Sequence, residues 1–125
     1  MILDSNLIIC SVRPEYPGLR RLISADGYAA SVITIVEVLG YHKLSQPARG
    51  ALEKFFAATD ILPVTDVVVV SAVTLRQSRK MSLGDALIAA TALIARRALV
   101  THNVKDFAWI PSLTVVDPLA AGDPP

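Results

Sequence analysis

The chain has 125 residues, 53% hydrophobic and 18% charged, enough for one domain with a single apolar core and too apolar for a disordered chain. Its formal net charge of +1 is well below that usual for a protein that binds RNA by charge alone, and no uncharged apolar run reaches the ~18–20 residues of a membrane span. No basic leader precedes Ile2-Leu3-Asp4, and Cys10 has no partner for a disulfide, which together point to a reducing cytoplasm.

Met1–Asp4 is an apolar run closed by an acid and predicts a buried strand with Asp4 at its carboxyl end. Ser5-Asn6 is placed to cap a short helix through Val12, which Pro14 stops. Leu19, Leu22 and Ile23 predict a helix over Tyr16–Ala25, and Tyr28–Val32 reads as the second strand. Ile33–Leu44 predicts a helix with Ile35, Val38 and Leu39 on one face. Pro47–Thr59 predicts another, striped by Ala51, Leu52, Phe55 and Phe56. A short strand follows at Ile61–Val64. Val67–Val70 has strand propensity, but Asp66 as an N-cap and the apolar pattern through Ala72, Val73 and Leu75 favour a helix to Arg79. Ser82–Arg97 is the clearest helix, with Leu83, Leu87, Ala90 and Ile94 at helical spacing and the basic pair Arg96-Arg97 suited to its end. Ala98–Thr101 and Thr114–Val116 are the last strands. Short, uninterrupted apolar strands alternating with helices predict an α/β fold, its parallel sheet covered by helices on both faces. Residues 1–119 are expected to form one domain, and residues 120–125 a frayed tail.

Four acids stand out on this frame: Asp4, Glu37, Asp85 and Asp106. Asp4 ends the first strand, Glu37 lies one turn into the helix after the second, and Asp106 follows the Leu99–Thr101 strand by a few residues. Asp85, in the first turn of the Ser82 helix, reaches the same edge if that helix packs on the sheet. Ligands of open α/β sheets bind at the carboxyl ends of the strands. Carboxylates gathered there repel one another and call for a cation. Mg²⁺, or Mn²⁺ in its place, suits an all-oxygen set in a chain without a Cys/His cluster. Such an ion activates water and stabilises a leaving oxygen, the chemistry of phosphodiester hydrolysis. Purely structural readings exist for single members. Thr34-Ile35-Val36-Glu37 and Ser82-Leu83-Gly84-Asp85 both fit capping boxes, and Asp106 fits a turn begun by Asn103. An acid directly after a buried first strand has little structural purpose, so Asp4 is the hardest to explain away.

Four segments in order carry a family resemblance: Ile2-Leu3-Asp4-Ser5-Asn6, Ser31-Val32-Ile33-Thr34-Ile35-Val36-Glu37, Ser82-Leu83-Gly84-Asp85-Ala86-Leu87-Ile88-Ala89-Ala90-Thr91-Ala92 and Thr101-His102-Asn103-Val104-Lys105-Asp106-Phe107. The chain resembles the PIN domain, and within it the VapC-like toxins of bacterial type II toxin–antitoxin pairs. The resemblance implies a three-layer α/β/α fold with a central, mainly parallel sheet of four to five strands. It implies a metal-dependent endoribonuclease with Asp4, Glu37, Asp85 and Asp106 as metal-binding acids. Asn6 resembles the polar residue that holds the first acid or a water, and Thr101 and Asn103 resemble supports of the last loop. The implied reaction is in-line attack of a metal-activated water on an RNA phosphodiester, leaving a 5′-phosphate and a 3′-hydroxyl. The implied partners are RNA, a second copy in a homodimer, and a cognate antitoxin that lays a helix and tail across a groove, with Ile33–Leu44 and Pro47–Thr59 as the expected contact and a basic side chain at the acids.

Two other enzyme classes begin with a similar strand and fit less well. An aspartate-nucleophile phosphatase wants a second Asp two residues after the first, where this chain has Asn6; a receiver domain wants an early acidic pair, which is missing. A non-catalytic PIN-like module that binds RNA or protein is the alternative from another class. Arg20, Arg21, Arg76, Arg79, Lys80, Arg96 and Arg97 supply cations for a positive rim, and no aromatic-rich stacking platform is evident.

Overall fold

The computed structural model describes residues 1–125. In chain order the elements are β1 (Ile2–Leu3), α1 (Ser5–Ser11), α2 (Pro17–Ile23), β2 (Ala29–Ser31), α3 (Val32–Leu39), α4 (Gln46–Ala57), β3 (Asp60–Leu62), α5 (Asp66–Ser78), α6 (Leu83–Ala95), β4 (Leu99–Val100), α7 (Val104–Phe107) and β5 (Val115–Val116). The five strands form one sheet in the order β3-β2-β1-β4-β5, and every pairing is parallel. From β1 the chain builds outward on one side through β2 and β3, then crosses to the other side for β4 and β5. The sheet therefore changes direction between β1 and β4, where open α/β sheets place their ligands.

Strand periodicity divides the core in two. Ile2, Ala29 and Leu99 point to one face and pack with α5, α6, Phe107 and Ile110. Leu3, Ala30 and Val100 point to the other and pack with α1, α2, α3 and α4. Burial on both faces is why these short strands read as unbroken apolar runs. Each fully buried Ile or Leu adds roughly 1.5–3 kcal/mol. The result is the three-layer α/β/α architecture. No helix is long and apolar enough to cross a membrane.

Several local expectations are corrected. The N-cap of α1 is Asp4 rather than Ser5-Asn6, and Thr65 rather than Asp66 caps α5. Ser31 caps α3, which stops at Leu39 before Gly40 instead of running to Leu44. Thr34 thus lies inside α3, fully buried, and its hydroxyl has no hydrogen-bond partner, so it makes no capping box with Glu37. Leu83 and Ile94 of the expected α6 stripe are 58% and 44% exposed. Ala90 of that stripe is fully buried and Leu87 packs against the core, and the rest of the buried apolar surface of α6 is Ile88 with Ala86, Ala89 and Ala92, whose small side chains let the helix lie close to the sheet and to α5. Val73 of α5 is also exposed, with Val68, Ala72 and Leu75 facing inward. Residues 120–125 form no helix or strand, but they are docked rather than frayed: the Asp123 carboxylate accepts hydrogen bonds of 2.8 Å from the backbone N–H groups of Gly18 and Leu19. Those donors open α2, whose own N-cap Tyr16 offers no side-chain bond.

Candidate functional site

Asp4 leaves β1 directly into α1, and this position buries it to 2% exposure. Its Oδ1 accepts from the Ser5 backbone N–H at 2.8 Å, and its Oδ2 accepts from the Thr101 hydroxyl at 2.7 Å. Thr101 follows β4, the strand beside β1, so the sheet order alone makes this contact. The same Thr101 oxygen accepts from the Asn103 N–H at 3.0 Å, tying the last loop to the first acid. Asn103 in turn accepts through its carbonyl from the Asp106 N–H at 3.1 Å, at the start of the unforeseen helix α7.

Glu37 is exposed on α3, and its Oε1 accepts from the Ser5 hydroxyl at 2.6 Å. A Cβ at Gly84 would overlap the Glu37 carboxylate, so glycine at the second position of α6 leaves the space that Glu37 occupies. Asp85, next in the chain, is half-buried, and its N–H donates to the capping Ser82 hydroxyl at 3.1 Å. Asp85 and Asp106 line one cavity of about 600 Å³; Glu37, Asn6 and Asn103 line another of about 350 Å³.

The electrostatics join the four. Burial pushes the Asp4 carboxyl up to about 6; its Thr101 and Ser5 hydrogen bonds oppose the rise, and the charges of Asp85 and Glu37 add to it. Burial also raises Asp85; Ser82 opposes this, and Asp106 and Glu37 reinforce it. None of the four acids has a cation within ion-pair distance. As the side chains lie, no three metal-ligating groups are close enough to grip an ion, since Glu37 is turned onto Ser5 and Asp106 is exposed. The donor chemistry nevertheless fits a hard divalent cation: all ligands are carboxylate oxygens, they share one edge of the sheet, and the buried member lacks a counter-charge.

Of the expected supporting residues, Thr101 bonds Asp4 directly, and Asn103 acts through its backbone. Asn6 is exposed and forms no side-chain hydrogen bond. The Ser5 N–H bonds the first acid, and the Ser5 hydroxyl bonds Glu37. Sequence reading missed Ser5 and Gly84. The only available signals were their places directly after Asp4 and directly before Asp85.

The family model for the PIN domain matches residues 1–111. Among solved structures, a toxin–antitoxin complex from Klebsiella pneumoniae is 31% identical, with 94% of this chain and 96% of that one covered and a TM-score of 0.75. VapBC-1 from nontypeable Haemophilus influenzae is 25% identical over 93% of this chain and 96% of that one, with a TM-score of 0.74. A DNA-bound VapBC from Salmonella typhimurium shares the fold at 20% identity, 93% and 96% coverage and a TM-score of 0.78. No curated protein matches the sequence.

Proposed function

The chain belongs to the PIN domain family, and from that premise we propose that it is a Mg²⁺-dependent endoribonuclease, the toxin of a type II toxin–antitoxin pair. The observation that carries this reading is the buried Asp4 at the turning point of the sheet, raised by burial and by neighbouring acids and paired with no cation. Asp4, Glu37, Asp85 and Asp106 would hold the ion, with Mn²⁺ as a substitute. The ion, when bound, supplies a Lewis acid for a phosphate oxygen and lowers the pKa of water. Thr101 and the Ser5 N–H orient the two oxygens of Asp4, which fixes the first ligand before substrate arrives. Ser5 holds Glu37 beside Gly84, and the Thr101–Asn103 link sets the position of the loop that carries Asp106. RNA is the substrate this reading assigns, with hydrolysis leaving a 5′-phosphate.

The partners follow from the same premise. The Klebsiella pneumoniae neighbour is a toxin–antitoxin complex, which supports an antitoxin partner here. A cavity of about 560 Å³ beside α4 is offered to its helix, lined by Ile23, Tyr28, Leu52 and Phe55, with Arg20 and Lys54 at its side. A homodimer is supported by Val67, Val70 and Val73, a stripe on α5 that is 58%, 66% and 51% exposed. Sedimentation of Val70→Asp should show monomer where wild type sediments as a dimer; a wild-type monomer would end the dimer reading.

The activity is tested with antitoxin-free protein on structured RNA, with Mg²⁺ and with EDTA. Wild type is expected to cleave only with metal, while Asp4→Asn and Asp85→Asn fail to cleave. Equal cleavage by those variants would remove the site from the reaction. Metal-independent RNA binding without cleavage by wild type would favour a non-catalytic binding module instead.

A further inference from the structure

Beside Asp85 and Asp106 the cavity of about 600 Å³ is walled by cations that the four acids do not use. Arg76, Arg79 and Lys80 come from the end of α5 and the turn after it, and Lys105 comes from α7. The ion pairs of the protein are Arg49 with Glu53 and Arg97 with Asp60, and the His102 ring contacts Asp117. All four cations of this cavity are therefore free of carboxylate partners, although two acids line the same space.

Two of the cations are held in place by neutral groups. The Arg76 Nε–H donates to the Met81 carbonyl at 3.3 Å, which fixes the guanidinium on the cavity wall. The Arg79 guanidinium lies over the Trp109 ring, 5.4 Å from its centroid. Trp109 is anchored too: its indole N–H donates to the Asp106 carbonyl at 3.1 Å, and one side of the ring packs against the core. This places an aromatic ring and a guanidinium one turn from an acid of the site. Free, positioned cations bind phosphates. Aromatic rings and guanidinium planes stack on unpaired bases. A volume of this size accepts a small-molecule unit such as a nucleotide.

We propose that this cavity is a nucleotide subsite for single-stranded RNA: the Arg79–Trp109 pair stacks on one unpaired base, while Arg76, Lys80 and Lys105 hold the phosphate flanking the one at the acids. The subsite rests on the RNA-cleaving reading of the acids and assigns it a substrate form, unpaired rather than duplex RNA. It also supplies the stacking element that a scan for aromatic-rich sequence overlooks, because one ring suffices when a distant arginine lies over it.

Trp109 is the only tryptophan of the chain, so its fluorescence reports on this cavity alone. In EDTA, a single-stranded oligoribonucleotide should quench it saturably. A duplex, or an abasic oligomer of equal phosphate number, should leave it largely unchanged. Arg79→Ala is expected to weaken single-strand binding about tenfold and, with Mg²⁺, to raise KM with little change in kcat. Arg76→Ala and Lys80→Ala should each lower the slope of log affinity against log salt by about 0.7. Trp109→Leu should lower affinity and leave that slope intact, and Lys43→Ala, at an exposed lysine that does not line this cavity, serves as the control. RNA cleavage that depends on Asp4, with no fluorescence change and an unaltered KM in Arg79→Ala, would overturn the subsite and leave the nuclease reading standing. Absence of both RNA binding and cleavage would overturn both.

Discussion

At the amino end of the sheet Arg97 lies 3.8 Å from Asp60, and the Met1 amine donates to the Gly27 carbonyl at 2.6 Å. At the carboxyl end Asp4 is buried to 2% exposure, with Asp85 and Glu37 raising its pKa and no cation in ion-pair range. One end thus pairs an exposed arginine with an exposed acid near solvent, where charges cost little. The other collects charges of one sign and removes one of them from water. Nothing in folding requires this, because an uncompensated buried carboxylate destabilises the native state. The difference separates the end without a buried acid from the end that awaits an external cation.

The comparison can be broken hardest at Asp4. Losing a partner of a metal ligand costs about 10–100-fold, so Asp4→Asn should lower RNA cleavage by more than about a hundredfold. The same variant should reveal the stored cost. The Asp4 pKa rises to about 6 in the folded protein, against about 3.9 for an unfolded chain. Between these values the folded protein keeps a proton that the unfolded chain has lost, so the contribution of Asp4 is fully present below about pH 4. It is lost as pH rises through about 6, by roughly 3 kcal/mol. Asp85 is shifted in the same direction and acts with the same sign. In EDTA, thermal melts should show wild type losing stability relative to Asp4→Asn from pH 4 to pH 7, by roughly 10 °C in Tm, and excess Mg²⁺ should restore it. A pH-independent difference between the two melts would show that Asp4 carries no such cost.

Gly84→Ala sharpens the comparison at intermediate scale. Alanine is the better helix former by about 1 kcal/mol, and the group it would displace is the movable end of Glu37. The variant should melt at or slightly above the wild-type temperature while cleaving about tenfold more slowly. A loss of stability with activity intact would mean that the glycine serves packing instead. At the amino end, Arg97→Ala should do least. That pair is 39% and 60% exposed at 3.8 Å, worth about 0–1 kcal/mol, and urea unfolding and cleavage should both stay close to wild type. A large effect on either would erase the distinction between the two ends.

How much was legible varies by residue for physical reasons. Ile2-Leu3 and Leu99-Val100 announced themselves because strands buried on both faces carry apolar residues at every position. Asp4 was conspicuous as the polar break in such a run. The α6 helix was legible as a helix, but its buried face only in part: Leu87 and Ala90 face the core as expected, whereas bulky Leu83 and Ile94 are exposed and close packing selected further alanines. Caps one residue away from the apparent ones, at Asp4 and Thr65, escaped because several hydroxyls and acids compete locally and only geometry picks the winner.

The sequence by itself determined the alternation of short apolar strands and helices, the parallel α/β class, and the four acids as candidates near the carboxyl ends of the strands. These are local matters of periodicity, propensity and the cost of an unexplained charge. Tertiary structure alone decided that β4 lies beside β1, which brings the Thr101 hydroxyl onto Asp4 across 97 residues of chain. It also decided that the Ser5 hydroxyl holds Glu37, and that Arg79 rests over Trp109 beside the acids. Strand order and helix rotation follow from packing the whole chain at once, and no short stretch of residues encodes them.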